Sequence, residues 1–362
     1  MEALTRMRSL ALALLLALVA GVTASPAPVA ATGPTIEQLI GQKLVVAMDG
    51  TTPSASLLAR IRAGEVGGVI LFGSNITTAT ALTALTKQLH DAATAGGQPR
   101  LLVYVDQEGG SIKRIPWAPP TLSPPQMGAL GSTSTATSQG KATGQALKAL
   151  GIDVDLAPVV DVPFSTSSFL YQQGRTWSFS ATTTALLANA FAGGLAQGGE
   201  LATLKHFPGL GYATKNTDTS VVTLTQSRTA LAPGLKPYKT GIAQGVPIVM
   251  LSNASYTAYN DPANGAGWSH VIATTLLRTD LGFTGVSITD SLNGTASARG
   301  IPVQYLAARA SRAGTDLLLL TGNEASTRSN FASLVGAAKA GTISLTTLRA
   351  SYDRILAMKS GG

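Results

Sequence analysis

Eight short apolar runs, each continuous rather than alternating, constrain this chain most. They are KLVVAM (43–48), GGVILFG (67–73), LLVYVD (101–106), VDLAPVVDV (154–162), LATLKHF (201–207), PIVMLSN (247–253), GVSITD (285–290) and DLLLLTG (316–322). A strand with one wet face alternates apolar and polar residues. An unbroken run reads as a strand covered on both faces, as in a parallel sheet. Between several runs lie Ala/Leu-rich stretches with helical spacing, among them TATALTALTKQLHDAATA, ATTTALLANAFAGGLAQ and VQYLAARASRAG. The last two end at or just before glycine, a common helix stop. Eight such runs over roughly 330 residues predict an α/β fold, a (β/α)8 TIM barrel. The competitor is an open doubly wound sheet. It would want a GxGxxG turn after its first strand, and none follows here.

The barrel is expected over residues 34–362, as a single domain. Ahead of it, Arg6 and Arg8 precede an apolar run from Leu10 to Val22, and Val22-Thr23-Ala24 offers a small-x-small cleavage site before Ser25. Residues 1–24 therefore read as a secretory signal peptide and 25–33 as a flexible Pro/Ala-rich segment. The run is short for a bilayer span, so an uncleaved membrane anchor is the competing reading. The expected location is secreted or associated with the cell envelope. The chain has no cysteine, which excludes disulfides, thiolate metal sites, a cysteine nucleophile and a lipid on an N-terminal cysteine. The formal net charge of +8 comes from having only 18 acids rather than from a run of Lys/Arg. Without such a run, and without aromatics interleaved with basic residues, nucleic acid is excluded as a partner.

In a (β/α)8 barrel, chemistry sits at the C-terminal ends of the strands. Polar residues fall there in this chain: Asp106, Asp161, Lys205 and His206, Ser252 and Asn253, and Asp290. Three acids on one rim exceed what a solvated surface of so acid-poor a chain needs. The histidines are His90, His206 and His270. Their spacing makes no metal-ligand cluster, so no metal is expected and no cofactor is called for. His90 reads as a surface residue and His270 as the start of a helix. No GxSxG elbow is present. What remains is a carboxylate site with cationic helpers, suited to a hydroxyl-rich substrate. A carboxylate can attack an anomeric carbon to give a covalent glycosyl-enzyme. A second group must then protonate the leaving oxygen and later deprotonate water.

In order along the chain, TIEQLIGQKLVVAMDG, GGVILFGSNI, VDQEGGSIKRI, GIDVDLAPVVDV, GRTWSFS, KHFPGLG, LLRTDLGFTGVSITDSL and ASRAGTDLLLL resemble segments of the glycoside hydrolase family 3 catalytic barrel. The similarity is to its single-domain β-N-acetylglucosaminidase and β-N-acetylhexosaminidase type, and it covers almost the whole chain past Gly33. The resemblance implies a retaining glycosidase acting on cell-wall amino sugars, with a carbohydrate as partner and no stable protein partner. It implies Asp290 as nucleophile. It implies Asp106 and Arg114 on the non-reducing sugar, and Arg175, Lys205 and His206 on sugar hydroxyls or the acetamido group. For Arg114 and Arg175 a loop-ordering salt bridge is the plainer alternative.

One departure matters. In this branch of the family the loop after Lys-His-Phe-Pro-Gly carries Asp-Ser-His, whose histidine is the acid/base. Here the triplet is Asp218-Thr219-Ser220, in a loop about two residues longer, and Leu210 stands where the family has another histidine. Larger relatives take their acid from a further C-terminal domain, whereas this chain runs about 40 residues past its eighth apolar run. A general acid contributes roughly 10²–10⁴-fold when its pKa is near the working pH. Serine cannot do this. Asp218 can, if a dry pocket or a neighbouring carboxylate raises its pKa. The expectation is a β-N-acetylhexosaminidase using Asp290 and Asp218. The alternatives are a catalytically weakened or inactive amino-sugar-binding relative, and a phosphorolytic variant.

Overall fold

The computed structural model describes residues 33–361. The expected signal peptide, and all of the Pro/Ala-rich segment except Gly33, lie outside the described residues. Residues 34–362 form one compact unit.

All eight apolar runs become strands of one parallel sheet: β1 (Leu44–Ala47), β2 (Gly68–Leu71), β3 (Leu102–Val105), β4 (Val154–Asp155), β5 (Leu201–Phe207), β6 (Ile248–Leu251), β7 (Val286–Thr289) and β8 (Leu318–Leu320). Consecutive strands are neighbours, and β1 also pairs with β8, Val45 opposite Leu319. A parallel bridge from Ile288 to Leu317 brings β7 to β8 and closes the barrel. The unbroken runs now have a cause. Leu44 and Val46 pack outward against helices, while Val45 and Ala47 pack into the barrel lumen with Ile70, Tyr104 and Met250. Both faces of each strand are dry.

The longer helices between strands are α1 (Ala55–Arg62), α2 (Ala79–Ala95), α3 (Thr133–Ala149), α4 (Ala181–Gly198), α5 (Lys236–Ala243), the π-wound α6 (Val271–Asp280), and the pair α7 (Leu292–Arg299) and α8 (Val303–Ala313). α9 (Glu324–Lys339) and α10 (Leu345–Ser360) follow β8. Hydroxyl side chains cap several N-termini: Ser54, Thr78, Ser132 and Ser180 each accept a bond from an amide of the first turn. α3 and α4 touch through glycine. A Cβ on Gly140 would sit 2.1 Å from the Phe191 carbonyl oxygen, and one on Gly194 would sit 2.3 Å from that of Thr137. Among the described residues no helix is long and apolar enough to cross a membrane.

Two expectations change. The run 154–162 pairs in the ladder only at Val154 and Asp155. Pro158 has no N–H to donate, so the remainder runs extended with a single bridge, Val159 to Lys205. His90 is not a free surface residue. Its Nε2 lies 2.9 Å from Asp153 Oδ2, a carboxylate that also binds Arg100 and accepts from the Val103 amide at 2.8 Å. His270 is exposed at the start of α6, as expected.

Candidate active site

Of the strand-end polar residues, Asp106, Lys205, His206 and Asp290 meet in one cavity of about 260 Å³ at the C-terminal rim, while Asp161, Ser252 and Asn253 do not line it. Asp106, Arg114, Arg175, Lys205, His206, Asp218 and Asp290 all line it. A pocket of this size holds a small ligand rather than a polymer chain.

Its floor is an ion network. Asp106 follows β3 directly, and Glu108 stands two residues further along an extended segment, which puts both carboxylates on one side. Lys205 Nζ reaches Asp106 Oδ1 at 2.8 Å and Glu108 Oε1 at 2.6 Å. Arg175 grips Glu108 with two bonds, Nε to Oε2 at 2.8 Å and Nη2 to Oε1 at 2.7 Å. This fork-on-fork geometry is the strong form of the pair. Arg114 Nη2 stands 3.6 Å from Asp106 Oδ2. Burial by itself would push the Glu108 carboxyl up, but the Arg175 and Lys205 charges outweigh it and hold the group at about 2. Burial likewise works against the Lys205 ammonium, and Asp106 and Glu108 overcome it and raise its pKa. The cations therefore stay charged, and each still has donors to offer a ligand.

Lys205 and His206 are adjacent, yet both side chains line the cavity. The reason is an irregularity in β5: Lys205 pairs with Met250 and Phe207 with Leu251, leaving His206 as an extra residue in the ladder. A bulge of this kind re-aims a side chain. Asp161 then fixes the imidazole. Its Oδ2 accepts from the His206 amide at 3.1 Å and stands 2.8 Å from Nδ1, while its Oδ1 accepts from the Leu210 amide at 2.6 Å. Nδ1 thus carries the proton toward Asp161, and Nε2 is the ring nitrogen left for a ligand.

The other two carboxylates that line the cavity are Asp290 and Asp218. Asp290 follows β7, its amide bonded to the Leu251 carbonyl at 2.9 Å, and its Oδ1 accepts from the Ser291 amide at 2.7 Å. Asp218 sits on the loop after β5, its amide donating to Asn216 Oδ1 at 2.9 Å. Asn253, after β6, spans the two. Its Nδ2 donates to the Ser291 carbonyl at 2.9 Å and reaches Asp218 Oδ1 at 3.5 Å. Burial first, and the charge of Asp290 second, push the Asp218 carboxyl up to about 7. A carboxyl that keeps its proton near neutrality, beside a second carboxylate, can serve as a proton donor. Ser220 is not part of the cavity wall; the loop lines it with Lys215, Asn216, Thr217 and Asp218.

Sequence reasoning gave Glu108 no role, left Asp161 unassigned and did not see Asn253 as a tie. Glu108 had a signal: two residues from Asp106, in an acid-poor chain, on an extended segment. Asp155 is a further buried carboxyl. Its Oδ1 accepts from the Gln107 amide at 3.0 Å, its Oδ2 meets no partner among the described residues, and burial pushes it to about 8. Among the described residues no group of three or more His, Cys, Asp or Glu could hold a metal ion.

The model of the glycosyl hydrolase family 3 N-terminal domain matches residues 35–358. The chain belongs to glycoside hydrolase family 3. It is 34% identical over 336 residues to a secreted glycosyl hydrolase of Arthroderma benhamiae, covering 88% of this chain and 92% of that one. It is 31% identical over 290 residues to a β-hexosaminidase of Nitrosospira multiformis, covering 77% and 80%. Among solved structures, the β-N-acetylhexosaminidase of Beutenbergia cavernae superposes with a TM-score of 0.83 at 32% identity, over 90% of this chain and 99% of that one. The family 3 β-N-acetylglucosaminidase of a Paenibacillus strain superposes with a TM-score of 0.86 at 28% identity, and there the chain spans 62% of the relative's length. The barrel is thus that of a glycosidase, and its relatives place it with the β-hexosaminidases of family 3.

Proposed function

We propose that this chain is an exported, retaining β-N-acetylhexosaminidase that removes terminal N-acetylglucosamine from cell-wall-type glycans. Asp290 is the nucleophile and Asp218 the acid/base. One observation carries the assignment: Asp218 and Asp290 line the same cavity, and burial together with the charge of Asp290 raises the Asp218 carboxyl to about 7. Asp106, Arg114, Arg175, Lys205 and His206 bind the sugar. The β-hexosaminidase relatives support the sugar, and the secreted relative together with residues 1–24 supports export.

In the first step a carboxylate oxygen of Asp290 bonds to the anomeric carbon while the bond to the leaving oxygen breaks. Asp218 gives its proton to that oxygen. Esterified Asp290 no longer carries charge, so the repulsion that helped hold the proton on Asp218 vanishes and its pKa falls. It enters the second step as a carboxylate. There it takes a proton from water as the water oxygen attacks the anomeric carbon and the Asp290 ester breaks. The loss of the family's histidine is met by an aspartate whose pKa answers to the state of the nucleophile.

The test uses aryl and natural N-acetylglucosaminides side by side. Asp290→Asn is expected to abolish release of both. Asp218→Asn is expected to slow the natural disaccharide by roughly 10²–10⁴-fold and a strongly activated aryl glycoside far less. Equal losses on the two substrates refute Asp218 as acid. Saturable binding without turnover in the wild type would leave the amino-sugar-binding reading instead. A rate that ignores added phosphate excludes phosphorolysis.

A further inference from the structure

Gly294 lies in the first turn of α7, four residues after Asp290. Its backbone is not in the left-handed region that calls for glycine. What calls for glycine is contact. A Cβ at this position would stand 2.8 Å from Asp218 Cβ, 2.9 Å from the Asp218 carbonyl oxygen and 3.1 Å from Asp218 Cα. None of these atoms is the far end of a flexible side chain, so no rotamer change relieves the overlap. The loop that carries Asp218 is seated directly on the helix that follows Asp290. On the other side, Asn253 holds the same residue to the Ser291 carbonyl. Thr217, next to Asp218, is buried, while Thr219 is exposed. The loop therefore has solvent to retreat into if it is pushed.

We infer that Gly294 is the positioning residue for Asp218: its missing side chain lets the acid/base loop close onto α7 and sets the distance between the two carboxylates. This inference rests on the acid/base role given to Asp218 above. It goes beyond that role by naming what fixes the distance. Both causes of the raised Asp218 pKa, burial and the Asp290 charge, depend on that closure.

The experiment compares wild type, Gly294→Ala, Asp218→Asn and the double variant, each on the natural disaccharide and on an activated aryl N-acetylglucosaminide, across pH 4 to 9. Alanine is the better helix former, so a purely local role for this glycine predicts an unchanged or raised melting temperature and unchanged kinetics. The positioning role predicts that Gly294→Ala slows the natural substrate at least about tenfold, leaves the aryl substrate within about threefold, and moves the alkaline limb of kcat/KM to lower pH. In the Asp218→Asn background the same substitution adds no further loss, because the two act as one unit. If Gly294→Ala is not recovered folded, Asn253→Ala releases the same loop and is expected to give the same split between the natural and the aryl substrate; its pH limb is not compared, because loss of the Asn253 bond by itself raises the Asp218 carboxyl. Selective loss in Asp218→Asn without it in Gly294→Ala, or losses that add in the double variant, overturns the positioning role. No selective loss in Asp218→Asn overturns the acid/base role, and the inference falls with it.

Discussion

Replacing Glu108 with glutamine is the sharpest test of the floor of the site. The side chain is nearly inaccessible and accepts from Arg175 and Lys205 at once. Glutamine keeps the shape but removes the charge, and its amide must then face a guanidinium and an ammonium. The magnitude follows from the carboxyl's pKa. It falls from the ordinary 4.5 to about 2. At about 1.4 kcal/mol per pH unit, that difference is on the order of 3 kcal/mol of stability. Breaking a buried ion pair from one side costs about 3–5 kcal/mol, which agrees. The sign is that of a depressed carboxyl. The contribution is fully present above pH 4.5 and is lost as pH falls toward 2. Urea unfolding of wild type and Glu108→Gln reads it directly from the shift of the midpoint at constant slope. The gap is expected to stay constant from pH 7 to 5 and to narrow below 4.5. A gap under about 1 kcal/mol at pH 7, or one that does not narrow in acid, would refute the reasoning.

Asp218 gives the opposite sign. Its carboxyl is raised from 3.8 to about 7, so the stability of its protonated form is fully present below 3.8 and lost as pH rises through 7. The kcat/KM of the wild type on the natural disaccharide is expected to fall above pH 7, and Asp218→Asn to lose that limb; a limb retained in the variant assigns it to another group. Away from the site, Gly140→Val drives a side chain into the Phe191 carbonyl of α4 and is expected to cost about 1–3 kcal/mol in urea unfolding with KM unchanged in the folded fraction. An unshifted unfolding midpoint would show that the helices can separate without penalty.

Much of this fold was readable because its strands are dry on both faces. Val45 and Val46 point in opposite directions yet both meet apolar neighbours, so the run stays unbroken and the parallel barrel shows through. The run 154–162 was read too long because hydrophobicity does not report whether an N–H finds a partner, and Pro158 has none to give. In the site, strand-end position singled out Asp106, Asp161, Lys205, His206, Ser252, Asn253 and Asp290. Arg114, Arg175 and Asp218 came from the motifs that carry the resemblance. What was missed was pairing rather than ligand-facing groups. Asp161 lies 45 residues before His206 and Glu108 lies 67 before Arg175. A pairing across such gaps leaves no local pattern, because it depends on which loops the barrel brings together.

KHFPGLGYATKNTDTS marks the division. The order of residues by itself determined that a Lys-His pair ends a buried strand, and that the following loop keeps Asp218 while Ser220, two residues on, stands where the family's histidine is expected. It also determined, through the apolar runs, that such a strand end opens on the working face of a barrel. Whether Asp218 could hold a proton was not in the letters. That depended on burial and on the charge of Asp290 after another strand, which together outweigh the Asn253 bond that favours the carboxylate. A carboxyl's pKa is a property of the field and solvent around it, and only the closed barrel assembles that environment.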